Sequence, residues 1–280
     1  MAEVTTPPRI HRETNLREKI LVFIPAYNCA TQVSRVLQQF QDRANWFSEI
    51  LVVDNRSPDD TLEAATQAAA SLPVPVAVVR NNDNYGLGGS HKVAFNYAAE
   101  RGFDYLVVLH GDDQGSIADL VPLLEAGQHR RSDCLLGARF MPGARIRGYS
   151  RFRTFGNRVF NLLFSLAARQ RLFDLGSGLN LYRVDALRRA SILGFSNNLT
   201  FNYYMILASV HWKWKIDFFP ISWREDDQVS NVKLTRQSIQ VLKILLQFMV
   251  DREGFLHDDH SGRRDQQYGF EVISRRSENS

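Results

Sequence analysis

Residues 20–28 read ILVFIPAYN, and residues 105–114 read YLVVLHGDDQ. Each begins with aliphatic and β-branched residues typical of a buried strand and ends in polar residues. Similar apolar runs at 50–53, 76–79 and 134–136 alternate with helical stretches at about 30–42, 60–71, 89–101 and 117–130. This alternation indicates βαβ units, and therefore predicts an α/β fold with a mainly parallel central sheet flanked by helices.

The composition excludes several other classes of protein. The chain has 280 residues, 44% of them hydrophobic, and a net charge of +4, which suits one large folded domain. Cys29 and Cys134 lie far apart, so a disulfide framework is not expected and a reducing compartment is. Residues 1–18 are polar and predict a flexible arm. No run of eighteen apolar residues is present, so no membrane span is expected.

Polar loops follow four of the predicted strands, and on a parallel sheet such loops share one edge. They are Pro25-Ala26-Tyr27-Asn28, Asp54-Asn55-Arg56-Ser57, the segment 84–89 and the segment 110–114. Tyr27 offers a face on which a base can stack, and Asp54 offers an acceptor for a base N–H. The glycines at 86, 88 and 89 stand at a predicted helix start, where a phosphate can approach the backbone closely.

The loop at 110–114 suggests a metal site. If the chain leaves the strand in an extended form, His110, Asp112 and Gln114 share one side and Asp113 faces the other. Oxygen ligands beside a diphosphate suit Mg²⁺ or Mn²⁺. The alternative is a solvated acidic turn near a helix N-terminus.

These motifs together resemble glycosyltransferase family 2, whose members have the Rossmann-like GT-A fold. Three later segments resemble the dolichol-phosphate mannose synthase-like branch, which charges polyprenyl phosphates with a sugar: Gly137–Phe140, Asp174–Leu179, and Trp223-Arg224 followed by Ser230–Lys233. The resemblance implies a GT-A domain over 19–235. Its nucleotide-sugar-binding half is 19–138 and its acceptor half is 139–235, and a helix and polar tail follow at 236–280.

The resemblance also implies roles for individual residues. Asp112, Arg139 and Arg224 are expected to be catalytic, and His110, Asp112 and Gln114 to surround a Mn²⁺ or Mg²⁺ ion. The donor, a UDP- or GDP-sugar, is expected to contact Pro25, Ala26, Tyr27, Asn28, Val52, Asp54, Asn84, Gly88, His110, Gly111, Asp112 and Lys233. The chain departs from the family where His110-Gly111-Asp112 replaces Asp-x-Asp, and where Cys29 replaces an acidic residue.

The acceptor is predicted from charges. No carboxylate lies near Asn202, where many transferases of this fold carry a general base, and an anionic phosphate acceptor needs none. Residues 139–158 contain six arginines and no acid, and an apolar helix follows. We therefore expect inverting transfer to a polyprenyl phosphate, by a cytoplasmic protein that lies peripherally on the inner face of a membrane. The expected acceptor contacts are Arg145, Arg147, Arg151, Arg153 and Ser177.

Three alternatives remain open at this point. One is a family 2 enzyme that acts on a sugar hydroxyl in cell-surface polysaccharide assembly. Another is a core helix beside a solvated basic loop, with no membrane contact. The third, a nucleic-acid-binding protein, is disfavoured because no nucleic-acid-binding module is recognisable and the strand-end loops would have no purpose.

Overall fold

The computed structural model describes residues 18–225, 234–263 and 267–276, without the side chains of 234–236. Eight strands form one sheet in the order β10-β3-β2-β1-β4-β7-β5-β8, and β6 pairs with β9 in a small second sheet. The strands are β1 (Ile20–Ala26), β2 (Glu49–Asp54), β3 (Val76–Asn81), β4 (Tyr105–Leu109), β5 (Cys134–Ala138), β6 (Arg145–Arg147), β7 (Leu179–Arg183), β8 (Ile216–Pro220), β9 (Ser222–Arg224) and β10 (Phe270–Arg276).

Nine α-helices are present in the described part of the chain. They are α1 (Ala30–Gln38), α2 (Thr61–Ala69), α3 (Gly86–Glu100), α4 (Val121–Glu125), α5 (Arg151–Ala168), α6 (Val184–Arg188), α7 (Phe201–His211), α8 (Leu234–Val250) and α9 (Arg252–His257). The predicted α/β fold is confirmed: β3, β2, β1 and β4 pair in parallel, as do β5 and β8, while β7 and β10 run antiparallel.

Helices cover both faces of the sheet, which is why its central strands are apolar throughout. One core layer contains side chains of α3, α7, α8 and α9, and the other contains side chains of α1 and α2. Helix α8 buries Val241, Ile244, Leu245 and Phe248 while its opposite side stays exposed.

Two predicted elements are wrong. The helix expected at 117–130 is broken into the 3₁₀ turn Ile117–Asp119, the short α4 and the 3₁₀ turn Gln128–Arg131. Pro122 in the first turn of α4 has no N–H to continue the preceding turn, and Gly127 ends α4 with a left-handed φ of 64°. The segment 236–280, expected to be one helix and a polar tail, also contains α9 and β10. Strand β10 pairs with β3 at the sheet edge, and Phe270 packs on the core.

Over the residues that the structure describes, none of the helices has the length and apolar character needed to cross a bilayer.

Candidate active site

Four loops meet at the carboxyl edge of β3, β2, β1 and β4, as the strand order predicts. Hydrogen bonds tie the loops together. The Asn55 N–H donates to the Ala26 carbonyl at 2.9 Å, and the Asn55 side-chain amide donates to Asn84 Oδ1 at 2.8 Å. The Gly111 N–H donates to the Pro25 carbonyl at 3.1 Å. The rim is therefore one connected surface.

Tyr27 is the accessible aromatic ring of this rim, with 52% of its surface exposed. Asn28 beside it is also exposed and adopts a left-handed φ of 52°. Val52 and Asp54 are completely buried, and Ala26 nearly so. Asp54 accepts from the Ser57 N–H at 3.1 Å and faces Arg80 at 3.2 Å. The Asp54 carboxylate thus faces the protein interior in this conformation, where its Oδ2 has no hydrogen-bond partner among the described residues, and its contact with a base stays a prediction.

The glycine segment 86–89 packs against the backbone of another segment of the protein. The Gly88 N–H donates to the Asn197 carbonyl at 2.8 Å, and the Gly89 N–H points to the same oxygen at 3.4 Å. A Cβ at Gly86 would lie 2.4 Å from that oxygen, and one at Gly88 would lie 2.3 Å from the Ser196 carbonyl. The segment 196–197 therefore occupies the space beside Gly86 and Gly88, and the phosphate contact at Gly88 stays a prediction.

Next to this rim lies a cleft of about 360 Å³, into which His110, Asp112 and Gln114 all point. Asp113 faces away, as predicted, but not because the chain is extended. Asp113 has a left-handed φ of 58° within a tight turn, and Gln114 donates its N–H to Asp112 Oδ1 at 3.2 Å. The turn produces the arrangement that strand alternation was expected to give.

Burial sets the protonation of this group. Burial, together with the nearby charge of Arg139, lowers the pKa of His110 to about 4, so the imidazole is neutral at pH 7. His110 Nε2 is buried and has no hydrogen-bond partner among the described residues. Burial raises the pKa of Asp112 to about 6. A neutral imidazole beside a desolvated carboxylate is a setting that a cation would stabilise.

Arg139 forms one wall of the cleft and is held by Asp174. Its Nε and one terminal nitrogen donate to the two carboxylate oxygens at 2.8 Å each, and its main-chain N–H donates at 2.9 Å. Burial works against the Arg139 charge, but Asp174 raises its pKa above the ordinary value. Nη1 has no partner within the described residues, so the guanidinium still offers two N–H groups.

Arg224 lies elsewhere than predicted. It forms an ion pair with the buried Asp113 and donates through Nε to the Asp113 carbonyl at 2.9 Å. Together with Arg35, Arg145 and Arg147 it lines a second cleft, of about 430 Å³, on the other side of the metal loop. Arg224, Arg145 and Arg147 thus line the second cleft rather than the cleft of Asp112, because β6 and β9 pair with each other there, and their catalytic and acceptor roles stay predictions.

The other predicted acceptor contacts do not all lie in the main cleft. Arg153 lines the main cleft and pairs with Glu225 at 2.6 Å, whereas Arg151 is exposed at the start of α5. Ser177 is 2% exposed and its hydroxyl donates to the Leu179 carbonyl, and its role as an acceptor contact stays a prediction. Lys233 lies outside the described residues.

Several cleft residues were not anticipated from the sequence. Tyr149, Phe160 and Tyr203 supply aromatic walls, and no motif distinguishes them from core residues. Lys92 in α3 is fully buried and donates to Asn197 Oδ1 at 2.7 Å and to the Tyr268 hydroxyl at 2.9 Å. It thereby fixes the segment that packs on Gly86 and Gly88.

Comparisons with known proteins agree with this geometry. The model of the family described as glycosyl transferase family 2 matches residues 21–190. An undecaprenyl-phosphate mannosyltransferase of Micrococcus luteus is 31% identical over 65% of this chain and 76% of its own. A polyprenol monophosphomannose synthase of Mycolicibacterium smegmatis is 26% identical over 62% of this chain and 65% of its own.

The fold is shared with glucosyl-3-phosphoglycerate synthase from Mycobacterium tuberculosis, solved in complex with Mn²⁺, UDP and phosphoglyceric acid. The TM-score is 0.59 at 14% identity, over 91% of this chain and 86% of that chain.

Proposed function

The chain belongs to glycosyltransferase family 2, and we propose that it transfers a sugar from a UDP- or GDP-sugar to a polyprenyl phosphate at a membrane surface. An acceptor phosphate oxygen attacks the anomeric carbon as the bond to the diphosphate breaks. The configuration inverts, and the nucleoside diphosphate leaves. No proton has to be removed from the acceptor, because its oxygen is already anionic.

One observation carries the choice of acceptor. Asp112 is the only carboxylate among the described residues that line the cleft. Asp174 is occupied by Arg139, and Asp113 is occupied by Arg35 and Arg224 on the other side of the loop. If Asp112 holds a cation, no carboxylate remains among the described lining residues to act as a general base on a hydroxyl. A phosphate acceptor fits a cleft of this composition.

Two arginines are placed to hold that phosphate. Arg139 offers Nη1 and is fixed in orientation by Asp174, and Arg153 lies in the same cleft with its guanidinium over the Tyr149 ring at 4.4 Å. Arginine donors in a partly desolvated cleft bind phosphate strongly. The undecaprenyl-phosphate and polyprenol acceptors in the names of the two mannosyl-transferring relatives support this class of substrate.

The residues fit a divalent cation. His110, Asp112 and Gln114 line one cleft, and no group of three or more His, Cys, Asp or Glu able to hold a metal occurs in the described ranges. Oxygens of the donor diphosphate would therefore have to complete the ligand set. A cation bound there would neutralise charge on the leaving diphosphate. The structural relative solved with Mn²⁺ supports this proposal.

The proposed contacts with the donor nucleotide lie at the exposed rim. Tyr27 stacks on the base, and Asn28 and Asn84 contribute polar contacts at the exposed rim. Val52, Ala26 and Pro25 shape the floor beneath it. Asp54 holds the loop that contains Ser57.

A donor screen tests the proposal. The protein is incubated with UDP- and GDP-linked hexoses, Mn²⁺ and undecaprenyl phosphate, and lipid-linked sugar is detected by mass spectrometry. We expect one nucleotide series to give product, and we expect Asp112→Asn to abolish it in a folded variant. Product formation by Asp112→Asn at the wild-type rate would refute the assigned metal and donor site.

A further inference from the structure

Helices α5 and α8 run side by side in the same direction, away from the cleft. Residues 152–160 of α5 and 237–241 of α8 line the cleft. Ala167 and Ala168 of α5 meet Phe248 of α8 in a separate pocket at the opposite end. With a rise of about 1.5 Å per residue, the seven residues from Phe160 to Ala167 separate the near edges of the two sites by about 10 Å of helix.

The outer side of this helix pair is an apolar strip. In the described part of the chain sixteen large hydrophobic side chains are exposed, and eleven of them lie on these two helices. They are Phe152, Phe155, Val159, Leu162, Leu163 and Leu166 on α5, and Ile239, Leu242, Leu246, Met249 and Val250 on α8. Neither helix contains Asp or Glu. An exposed apolar surface this concentrated marks an interaction site.

The pocket at the far end of the apolar strip is basic. It has a volume of about 360 Å³ and is lined by Arg169, His211, Lys213 and Arg252, with no acidic residue among its lining residues. Within the ranges that the structure covers, Arg169, Lys213 and Arg252 have no carboxylate partner. Three unpaired cations around one pocket repel one another, and an anion between them removes that repulsion.

The backbone conformation at Arg169 and Lys213 indicates that the two cationic side chains are needed at these positions. Arg169 ends α5 with a φ of 52°, and Lys213 follows α7 with a φ of 57°. Glycine adopts this left-handed conformation at lower cost and is the usual residue at such helix ends. The chain has a cation at both positions instead, and both cations line the basic pocket.

We propose that the apolar strip lies on a membrane and that the basic pocket binds the phosphate of an anionic phospholipid headgroup, at a site separate from the catalytic cleft. Apolar side chains bordered by cations, without acids, match the headgroup boundary of an anionic bilayer. A second copy of the chain would bring the same cations against these. The inference rests on the proposed function, because a lipid acceptor brings the cleft end of the strip to the bilayer.

Vesicle flotation of the full chain, without donor or acceptor, tests this site. The wild type is expected to float with phosphatidylcholine vesicles that contain phosphatidylglycerol, and not with pure phosphatidylcholine. Each cation near an anionic surface contributes roughly 1 kcal/mol, so the triple variant Arg169→Gln/Lys213→Gln/Arg252→Gln should bind on the order of 100-fold more weakly. A matched triple, Arg101→Gln/Arg130→Gln/Arg189→Gln, removes the same charge far from the strip and should bind within about twofold of wild type. In Leu166→Ser/Met249→Ser, binding should also fall, unlike in Leu193→Ser/Ile273→Ser.

The inference is overturned if the pocket triple binds like its matched control, or if neutral and anionic vesicles bind equally. Binding of free glycerol phosphate that the triple abolishes, with vesicle binding intact, would assign the pocket to a soluble anion instead. An assay of sugar transfer to a short, soluble prenyl phosphate measures the reaction without any contribution from membrane binding. The triple should retain that transfer. If neither the wild type nor the triple variant makes product, but vesicle binding depends on the three cations, the proposed acceptor is refuted. The inference about the apolar strip and the basic pocket then still holds.

Discussion

Asp174→Ala is expected to destabilise the fold, because it leaves the Arg139 guanidinium charged and without a partner. Asp174 accepts three hydrogen bonds from Arg139, at 2.8, 2.8 and 2.9 Å. The two side chains are 10% and 2% exposed. Removal of one member of a pair buried to this extent costs about 3–5 kcal/mol, much of it for the charge that remains.

A double-mutant cycle isolates the coupling free energy between Arg139 and Asp174. Urea unfolding followed by circular dichroism gives the free energy of unfolding of Arg139→Ala, Asp174→Ala and the double variant. Because the double variant leaves no stranded charge, its loss should fall short of the sum of the single losses by at least about 2 kcal/mol.

The pair Arg189 and Asp185 is the matched control, since it has an N–O distance of 3.0 Å and side chains 70% and 67% exposed. Its coupling should be below about 0.5 kcal/mol. A coupling for Arg139 and Asp174 no larger than that of the control would refute the buried ion pair as the support of the cleft wall.

Three further predictions follow from the site. His110→Asp should shift the metal preference from Mn²⁺ towards Mg²⁺, because carboxylate is a harder ligand than imidazole; initial rates with each metal measure this, and an unchanged preference would remove His110 from the ligand set. Arg153→Gln should raise the KM for polyprenyl phosphate about 10-fold through loss of a charge-assisted contact, whereas Arg145→Gln, in the second cleft, should leave it within about twofold; equal effects would contradict the division of the arginines. Burial lowers the pKa of Lys92 from 10.5 to about 7, so between these values the unfolded chain binds more protons and stability rises with pH by at most about 1.4 kcal/mol per unit. Lys92→Met should lose that rise when unfolding is compared at pH 7.5 and 9.5, and the same slope in both proteins would show that Lys92 does not titrate there.

The strand-end loops could be predicted because their positions follow from sheet topology. Apolar runs such as 20–24 and 105–109 specify strands, and parallel strands bring the residues that follow them to one edge. His110, Asp112 and Gln114 line one cleft for this reason, although a left-handed residue at Asp113 rather than an extended chain brings them there. Local pattern and global topology agree here.

Other features of the site could not be predicted, because they depend on contacts between segments that are distant in the sequence. The glycines at 86 and 88 indicate close approach of some oxygen, but only the tertiary structure reveals that the oxygens belong to residues 196 and 197. The arginines of 139–158 form one block in the sequence, yet the pairing of β6 with β9 directs Arg145 away from Arg153. Strand β10 was missed because a single edge strand in a polar segment gives a weak signal.

The identity of the acceptor is tested most directly by a competition between two lipids of the same chain length, a polyprenyl phosphate and the corresponding polyprenyl alcohol. Both are offered with Mn²⁺ and the active nucleotide sugar, and lipid-linked products are measured by mass spectrometry. We expect glycosyl phosphate as the product, and no glycosylated alcohol, between pH 6.5 and 8.5. Glycosylation of the alcohol at a comparable rate, or of a free sugar hydroxyl alone, would contradict a cleft that works without a general base.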